Sequence, residues 1–303
     1  MLQYDNKNWF SFIFRHGSKH VDGMWWSMLF MGLLTSALIY VNEHTAWLHF
    51  EISTTFHTVL GLVLGLLLVF RTNSAYDRWW EGRKQLGALV NTTRNLALKV
   101  KTYAQEGNPA LSEETLNLIY AFAFSMKEHL REEDFSSIFQ EIPAAFLSDF
   151  KKFNHKPNFV LGKIAKNLHQ LFNEGTINGE QLIILEKEAN ALINILGACE
   201  RIKNTPIPMA YALHLKRVLL IYALTLPFGF VGQLGWVAIP MVLIVFYTMV
   251  GIELIGEEIE DPFGLDENDL PVNELCNKIK ANILEINKYQ VNDMIEHSLR
   301  SIN

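Results

Sequence analysis

Four apolar runs, separated by much more polar chain, set the pattern of this sequence. The first covers residues 24–42 and holds no charged side chain. Trp25, Trp26 and Tyr40 lie near its ends, where interfacial aromatics sit at a membrane surface. The second covers 52–72 and is built on FHTVLGLVLGLLLVF (56–70), whose sole ionisable group is His57. The third (215–233) and fourth (236–256) are separated only by a short link around Gly232 and Gly235, so they read as a tight hairpin. A run that is apolar on every side cannot be a half-exposed surface helix; it must be buried in protein or lipid. Residues 56–70 alone make a helix of about 22 Å, short of the ~30 Å hydrocarbon core, which is why the span is extended to 52–72. Pro227 and Pro240 fall inside the last two runs. Proline is tolerated in a spanning helix when neighbours satisfy the freed carbonyl.

Residues 73–214 are polar and mostly of helical pattern, with 3.6-type apolar spacing over 116–130 and 181–202. Asn108-Pro109, Ile142-Pro143, Lys156-Pro157 and the GTING turn (175–179) punctuate the region. No Gly/Ser linker, repeat or low-complexity tract separates it from the second span, so it reads as a helical bundle continuous with that span. The segment 257–303 opens acidic and then becomes amphipathic from about Val272, with Leu275, Ile279, Ile283 and Ile286 on one face. The expected architecture is an all-α membrane protein: four transmembrane helices, a cytosolic helical bundle and a C-terminal helix.

Charge orients these spans. Arg71, Arg78, Arg83, Lys84, Arg94, Lys99 and Lys101 follow the second run, and Lys216 and Arg217 accompany the third, whereas loop 42–51 has no Lys or Arg. The positive-inside rule places both termini in the cytoplasm. Residues 1–23 carry basic residues among aromatics and read as an interfacial lead-in, with no cleavable signal peptide expected.

Composition narrows the class. Half of the 303 residues are hydrophobic, too many for an ordinary soluble enzyme and too few for a chain wholly inside a bilayer. The net charge of −6 argues against a nucleic-acid partner. Cys199 and Cys276 have no metal-ligand spacing and read as reduced thiols.

The second run also holds the candidate chemistry. Leu62, Leu66 and Phe70 are four apart and share one helical stripe, and Gly61 and Gly65 form a small-xxx-small pair beside it. Spacing alone leaves two readings. The stripe is either the core face of a buried helix or a lane of apolar side chains facing a pore as a hydrophobic constriction.

Three blocks carry a family resemblance. RTNSAYDRWWEGRKQLGALVNTTRNLA (71–97), NTPIPMAYALHLKR (204–217) and GEEIEDPFGLDENDLPV (256–272) bracket the second, third and fourth spans in order. Together they resemble the bestrophins, in the form of prokaryotic bestrophin homologues. The resemblance implies a homopentameric ion channel in the bacterial inner membrane, with a long central pore lined by the second span. It places Leu62, Leu66 and Phe70 at a hydrophobic neck, which favours the pore reading. It also implies a second aperture on the cytosolic side, for which Ile177 in the GTING turn is the candidate.

Selectivity is read from charge. In a pentamer each pore-facing carboxylate becomes a ring of five, and acidic rings favour cations. Asp261, Asp266 and Asp269 are candidates for such a ring or for a cation site. Eukaryotic bestrophins conduct anions, whereas prokaryotic ones resemble cation-passing channels. The acidic balance leans toward monovalent cations such as Na⁺, with an anion channel or a non-conducting membrane scaffold as alternatives. Eukaryotic family members hold Ca²⁺ in a denser acidic clasp after the PFG core. Here Leu265 stands where an acid is expected, so no cofactor is expected. Glu253 lies inside the fourth run, where pairing with Arg78 or Arg217 is expected. No HExxH, P-loop, GxSxG or GxGxxG motif supports an enzyme, and the lack of an inverted repeat argues against a carrier.

Overall fold

A computed structural model describes residues 23–45, 54–133 and 149–288. The basic-aromatic lead-in, His16, His20, His49, most of loop 42–51, Pro143 and the chain beyond 288 lie outside the described residues. No strand occurs among the described residues.

The chain divides into two compact units, Met1–Trp80 with Thr205–Asp269 and Glu81–Asn204 with Leu270–Asn303. The first unit contains α1 (Trp25–His44), the first part of α2 (Thr54–Ala104), and α6 and α7. Helix α6 (Met209–Leu234) and helix α7 (Ala238–Glu260) are joined by a 3₁₀ turn, Gly235–Val237. Three stretches are long and apolar enough to cross a membrane: Trp25–His44, Thr55–Ala104 and Met209–Glu260. The last holds α6, the turn and α7, which pack against one another and against α1. Gly235 has φ 52° and ψ −131°, backbone that suits only glycine, and it reverses the chain between the two helices.

The two prolines act differently. Pro240 falls in the first turn of α7, where its missing N–H would have no helical partner, so it starts the helix and does not break it. Pro227 sits buried inside α6. Two residues earlier, the Thr225 hydroxyl donates to the Ile221 carbonyl at 2.8 Å.

The main core of this unit is an apolar cluster that includes Met31, Leu64, Leu68, Leu219, Tyr222 and Phe246, and a smaller one joins Ile39, Val231 and Ala238. Helix α1 supplies only the stripe Met31, Thr35 and Ile39, leaving Trp25, Trp26, Phe30, Leu33 and Tyr40 exposed. An apolar surface of that extent fits contact with hydrocarbon or another chain far better than contact with water. The Gly61/Gly65 pair divides in function. A Cβ on Gly61 would lie 2.9 Å from the Tyr222 hydroxyl, so this glycine admits a side chain from α6, while at Gly65 nothing stands within 4 Å. Close backbone approach at both glycines, which the spacing suggested, therefore does not occur within the chain.

The second unit packs α3 (Pro109–Arg131) against α4 (Lys156–Asn173) and α8 (Val272–Lys288), and α4 against α5 (Gly179–Asn204). Helix starts follow local chemistry. Pro109 opens α3 while the Asn108 carboxamide accepts the Leu111 N–H at 3.0 Å. Helix α8 buries Val272, Cys276, Ile279 and Ile283, with Leu275 and Ile286 flanking the same face. Cys199 and Cys276 are free and buried, and burial pushes both thiols up to about 12, which keeps them protonated and unreactive.

Helix α2 runs 51 residues without a break. The second span and the polar stretch after it are one helix of about 76 Å, well beyond a ~30 Å hydrocarbon core.

Candidate functional site

Two faces of α2 behave oppositely. Leu64, Leu68, Arg71 and Ala75 are buried and turn toward α6 and α7. On the other side, Leu62, Leu66 and Phe70 are 76%, 56% and 57% exposed. At 100° per residue the two sets fall on opposing sides of the helix, and the exposed lane climbs about 12 Å from Leu62 to Phe70. The core-stripe reading of Leu62, Leu66 and Phe70 fails within one chain, because Leu64 and Leu68 take that role. The lane contains no group able to hydrogen-bond an ion or its water.

One residue past Phe70, a buried ion-pair network fixes the helix. The Arg71 Nη2 donates to Glu260 Oε2 at 2.6 Å, and its Nε lies 3.9 Å from Glu253 Oε2. Arg71 and Glu253 are almost wholly buried, at 2% and 3% exposure. Glu253 therefore pairs with Arg71, not with the expected Arg78 or Arg217. Arg71 projects from the inward face of α2, which carries it to α7. The other Glu260 oxygen, Oε1, accepts the Ile207 N–H at 2.7 Å, and Arg78 donates to the Glu260 carbonyl at 3.1 Å and to the Thr205 carbonyl. The blocks 71–97, 204–217 and 256–272 thus meet at Glu260, through the Arg71 and Arg78 side chains and the Ile207 and Thr205 backbone. Lys216 and Glu257 add an exposed pair at 2.7 Å between α6 and α7.

The acidic stretch closes as a tight turn after α7. Asp261 and Asp266 are exposed, but Asp269 is buried and its Oδ2 accepts the Asp266 N–H at 2.7 Å. Gly264 makes this possible, since a Cβ there would stand 2.6 Å from the same oxygen. The Trp79 indole N–H donates to the Asn268 carbonyl at 3.0 Å, anchoring the turn to α2. Asp269, a candidate for the acidic ring, is folded into its own turn. Nor do Asp261, Asp266 and Asp269 gather at metal-ligand range. Leu265 is exposed at the turn's tip.

Burial pushes the Asp269 carboxyl up to about 7, reinforced by the negative Asp266, Asp261 and Glu258, while the Asp266 N–H opposes the shift. The folded chain thus holds this proton more tightly than the unfolded chain, whose value is near 3.8. The resulting stability is complete below about pH 4 and is lost as pH rises through about 7. Asp269→Asn is expected to flatten that slope and to stabilise the protein at pH 8 by an amount on the order of a few kcal/mol. Melting temperatures of variant and parent at pH 5 and pH 8 check this, and a parallel pair of curves would refute it.

Ile177, the aperture candidate, is buried at 3% exposure, and its N–H donates to the Leu171 carbonyl at 3.3 Å. It sits inside the α4–α5 turn, packed within its own chain. Exposed apolar residues on the two helices flanking this turn include Phe172 of α4 and Ile183 and Ile184 of α5.

Known proteins share this architecture. A family model described as Bacterial/Fungal Bestrophin protein matches residues 1–285. A voltage-dependent anion channel-forming protein of Nostoc sp. is 44% identical over 236 residues, 77% of each chain. The voltage-dependent anion channel-forming protein YneE of Escherichia coli is 30% identical over 256 residues, 84% of each chain. The crystal structure of a bacterial bestrophin homologue from Klebsiella pneumoniae superposes with a TM-score of 0.82 at 26% identity, over 86% of this chain and 98% of that one. With its three blocks joined at one ion-pair network and an uncharged apolar lane on α2, the chain belongs to the bestrophin family, whose members are membrane ion channels and not enzymes.

Proposed function

We propose that the chain is one subunit of a homopentameric channel whose α2 helices surround a central axis. Each contributes Leu62, Leu66 and Phe70 to a neck. The observation that carries this reading is the lane's exposure on the face of α2 opposite the protomer core. Rings of five such side chains offer an ion's hydration shell no partner, so water leaves the constriction readily and small rotations decide passage. In this reading α1, α2, α6 and α7 each cross the inner membrane once, and both chain ends lie in the cytoplasm. The basic run from Arg71 supports the orientation.

The conducted species is a monovalent anion. The relatives from Nostoc and Escherichia coli, both named as anion channel-forming proteins, support this assignment. Sodium conduction remains the second reading, supported by the net charge of −6 and the exposed Asp261 and Asp266. The inward turn of Asp269 weakens it. Neither reading calls for Ca²⁺, since Leu265 stands where an acidic ligand is expected.

Purified protein in planar bilayers under a sodium chloride gradient tests the choice. A reversal potential near the chloride equilibrium value supports the anion reading, and one near that of sodium supports the second. Absence of current from a complex of intact mass would leave a scaffold and refute both. The mass of the solubilised complex must correspond to five chains.

A further inference from the structure

Three residues from distant parts of the sequence meet at one end of the second unit. His129 lies in the last turn of α3, His155 immediately precedes α4, and Glu200 lies near the end of α5. The Nε2 atoms of His129 and His155 stand 2.8 Å and 2.7 Å from the same oxygen, Glu200 Oε1. The two imidazole centroids are 4.5 Å apart. One ligand atom from each residue falls within 4.8 Å of the others, and among the described residues no other such group of histidine, cysteine and acidic side chains forms. The three side chains are 30%, 33% and 26% exposed, so the cluster is reachable from solvent. It opens on a cavity of about 290 Å³ that Glu132, Glu133 and Lys203 also line. Lys203 is drawn to Glu132 at 2.8 Å. The carboxylates around this cavity outnumber the ammonium groups, which favours a cation.

We propose that His129, His155 and Glu200 form a binding site for a borderline first-row dication, Zn²⁺ above all. Two imidazoles and a carboxylate are a zinc donor set, whereas Ca²⁺ and Mg²⁺ require a shell of oxygens. Donors in a tetrahedral zinc site stand about 3.3 Å apart, given metal–ligand distances near 2.0–2.1 Å. The two short His–Glu contacts therefore open by roughly half an ångström when the ion enters. Three protein ligands leave a fourth position for water or for a cavity carboxylate. Binding exchanges one local bond. His155 Nδ1 accepts the Asn158 N–H at 3.3 Å, and a metal on Nε2 moves the ring proton to Nδ1, so this long helix cap is surrendered. The site escapes motif reading because His129 and His155 lie 71 and 45 residues from Glu200.

The test uses the full chain in detergent, stripped with chelator and titrated with Zn²⁺ by calorimetry. One site per chain with a dissociation constant in the micromolar range or below is expected, and Ca²⁺ should give no response. His155→Asn is the most informative variant, since asparagine keeps a helix cap while removing the ligand. It and Glu200→Gln should each weaken Zn²⁺ binding by at least ~10-fold with metal-free melting unchanged. Co²⁺ should give the intense visible bands of a tetrahedral site in the parent and lose them in both variants. Equal zinc affinity in parent and variants, or Co²⁺ spectra of an octahedral aquo ion in the parent, would overturn the assignment.

Discussion

Arg71→Met is expected to lower the stability of the folded chain by about 3–5 kcal/mol, because it leaves Glu253 and Glu260 without their buried cation. The Arg71 guanidinium lies within ion-pair distance of both carboxylates, at 3.9 Å from Glu253 and 2.6 Å from Glu260. The thermal midpoint in detergent should fall by roughly 10 °C. Arg71→Met combined with Glu253→Gln and Glu260→Gln should recover much of the loss, since neutral side chains no longer carry an uncompensated charge. A melt of the single variant that coincides with the parent's would show that the network contributes little. The triple variant matters for function too. Glu260 accepts the Ile207 N–H, and Arg71 follows Phe70, so the network sets the rotation of α2 about its own axis.

Leu66→Ala is expected to raise single-channel conductance or basal leak several-fold. Shortening the middle ring of an apolar constriction widens it and lets water stay. Leu64→Ala, two residues away but on the buried face, provides the contrast. It should leave conductance near the parent's and cost about 2–5 kcal/mol in stability, as for a buried leucine truncated in a packed core. Unitary current from bilayer recordings and melting midpoints of the same preparations separate the two variants. If Leu66→Ala behaved like Leu64→Ala, the exposed lane would be a packing surface and the proposed neck would fall.

The sequence made the spans legible because runs without charge on any face have no place in water. It did not make α2's length legible. A step from leucines to arginines at residue 71 marks the end of the apolar span, which does not fix where the helix ends, because polarity does not stop a helix. Proline and capping geometry do, and residues 54–104 hold no proline. Spacing picked out Leu62, Leu66 and Phe70 as one stripe but not the direction in which it faces, which depends on Leu64 and Leu68 claiming the core. Glu253 was recognisable as an intramembrane carboxylate, while its partner followed from which arginine lies on the inward face of α2. The inward fold of Asp269 depends on the space left by Gly264, a relation no spacing rule contains. Ile177 sat in a legible turn, but burial within a turn is decided by the helices on either side of it. His129, His155 and Glu200 had no motif because the helices that gather them lie far apart in the chain.

The uncharged lane on α2 bears on how such a particle is built in the cell. Leu62, Leu66 and Phe70 are as comfortable against acyl chains as against one another. A newly made copy can therefore enter the bilayer alone and persist there while it waits for companions. In the proposed pentamer, insertion and ring closure are then separate events, and the lane would exchange lipid for a water path only when the final copy arrives.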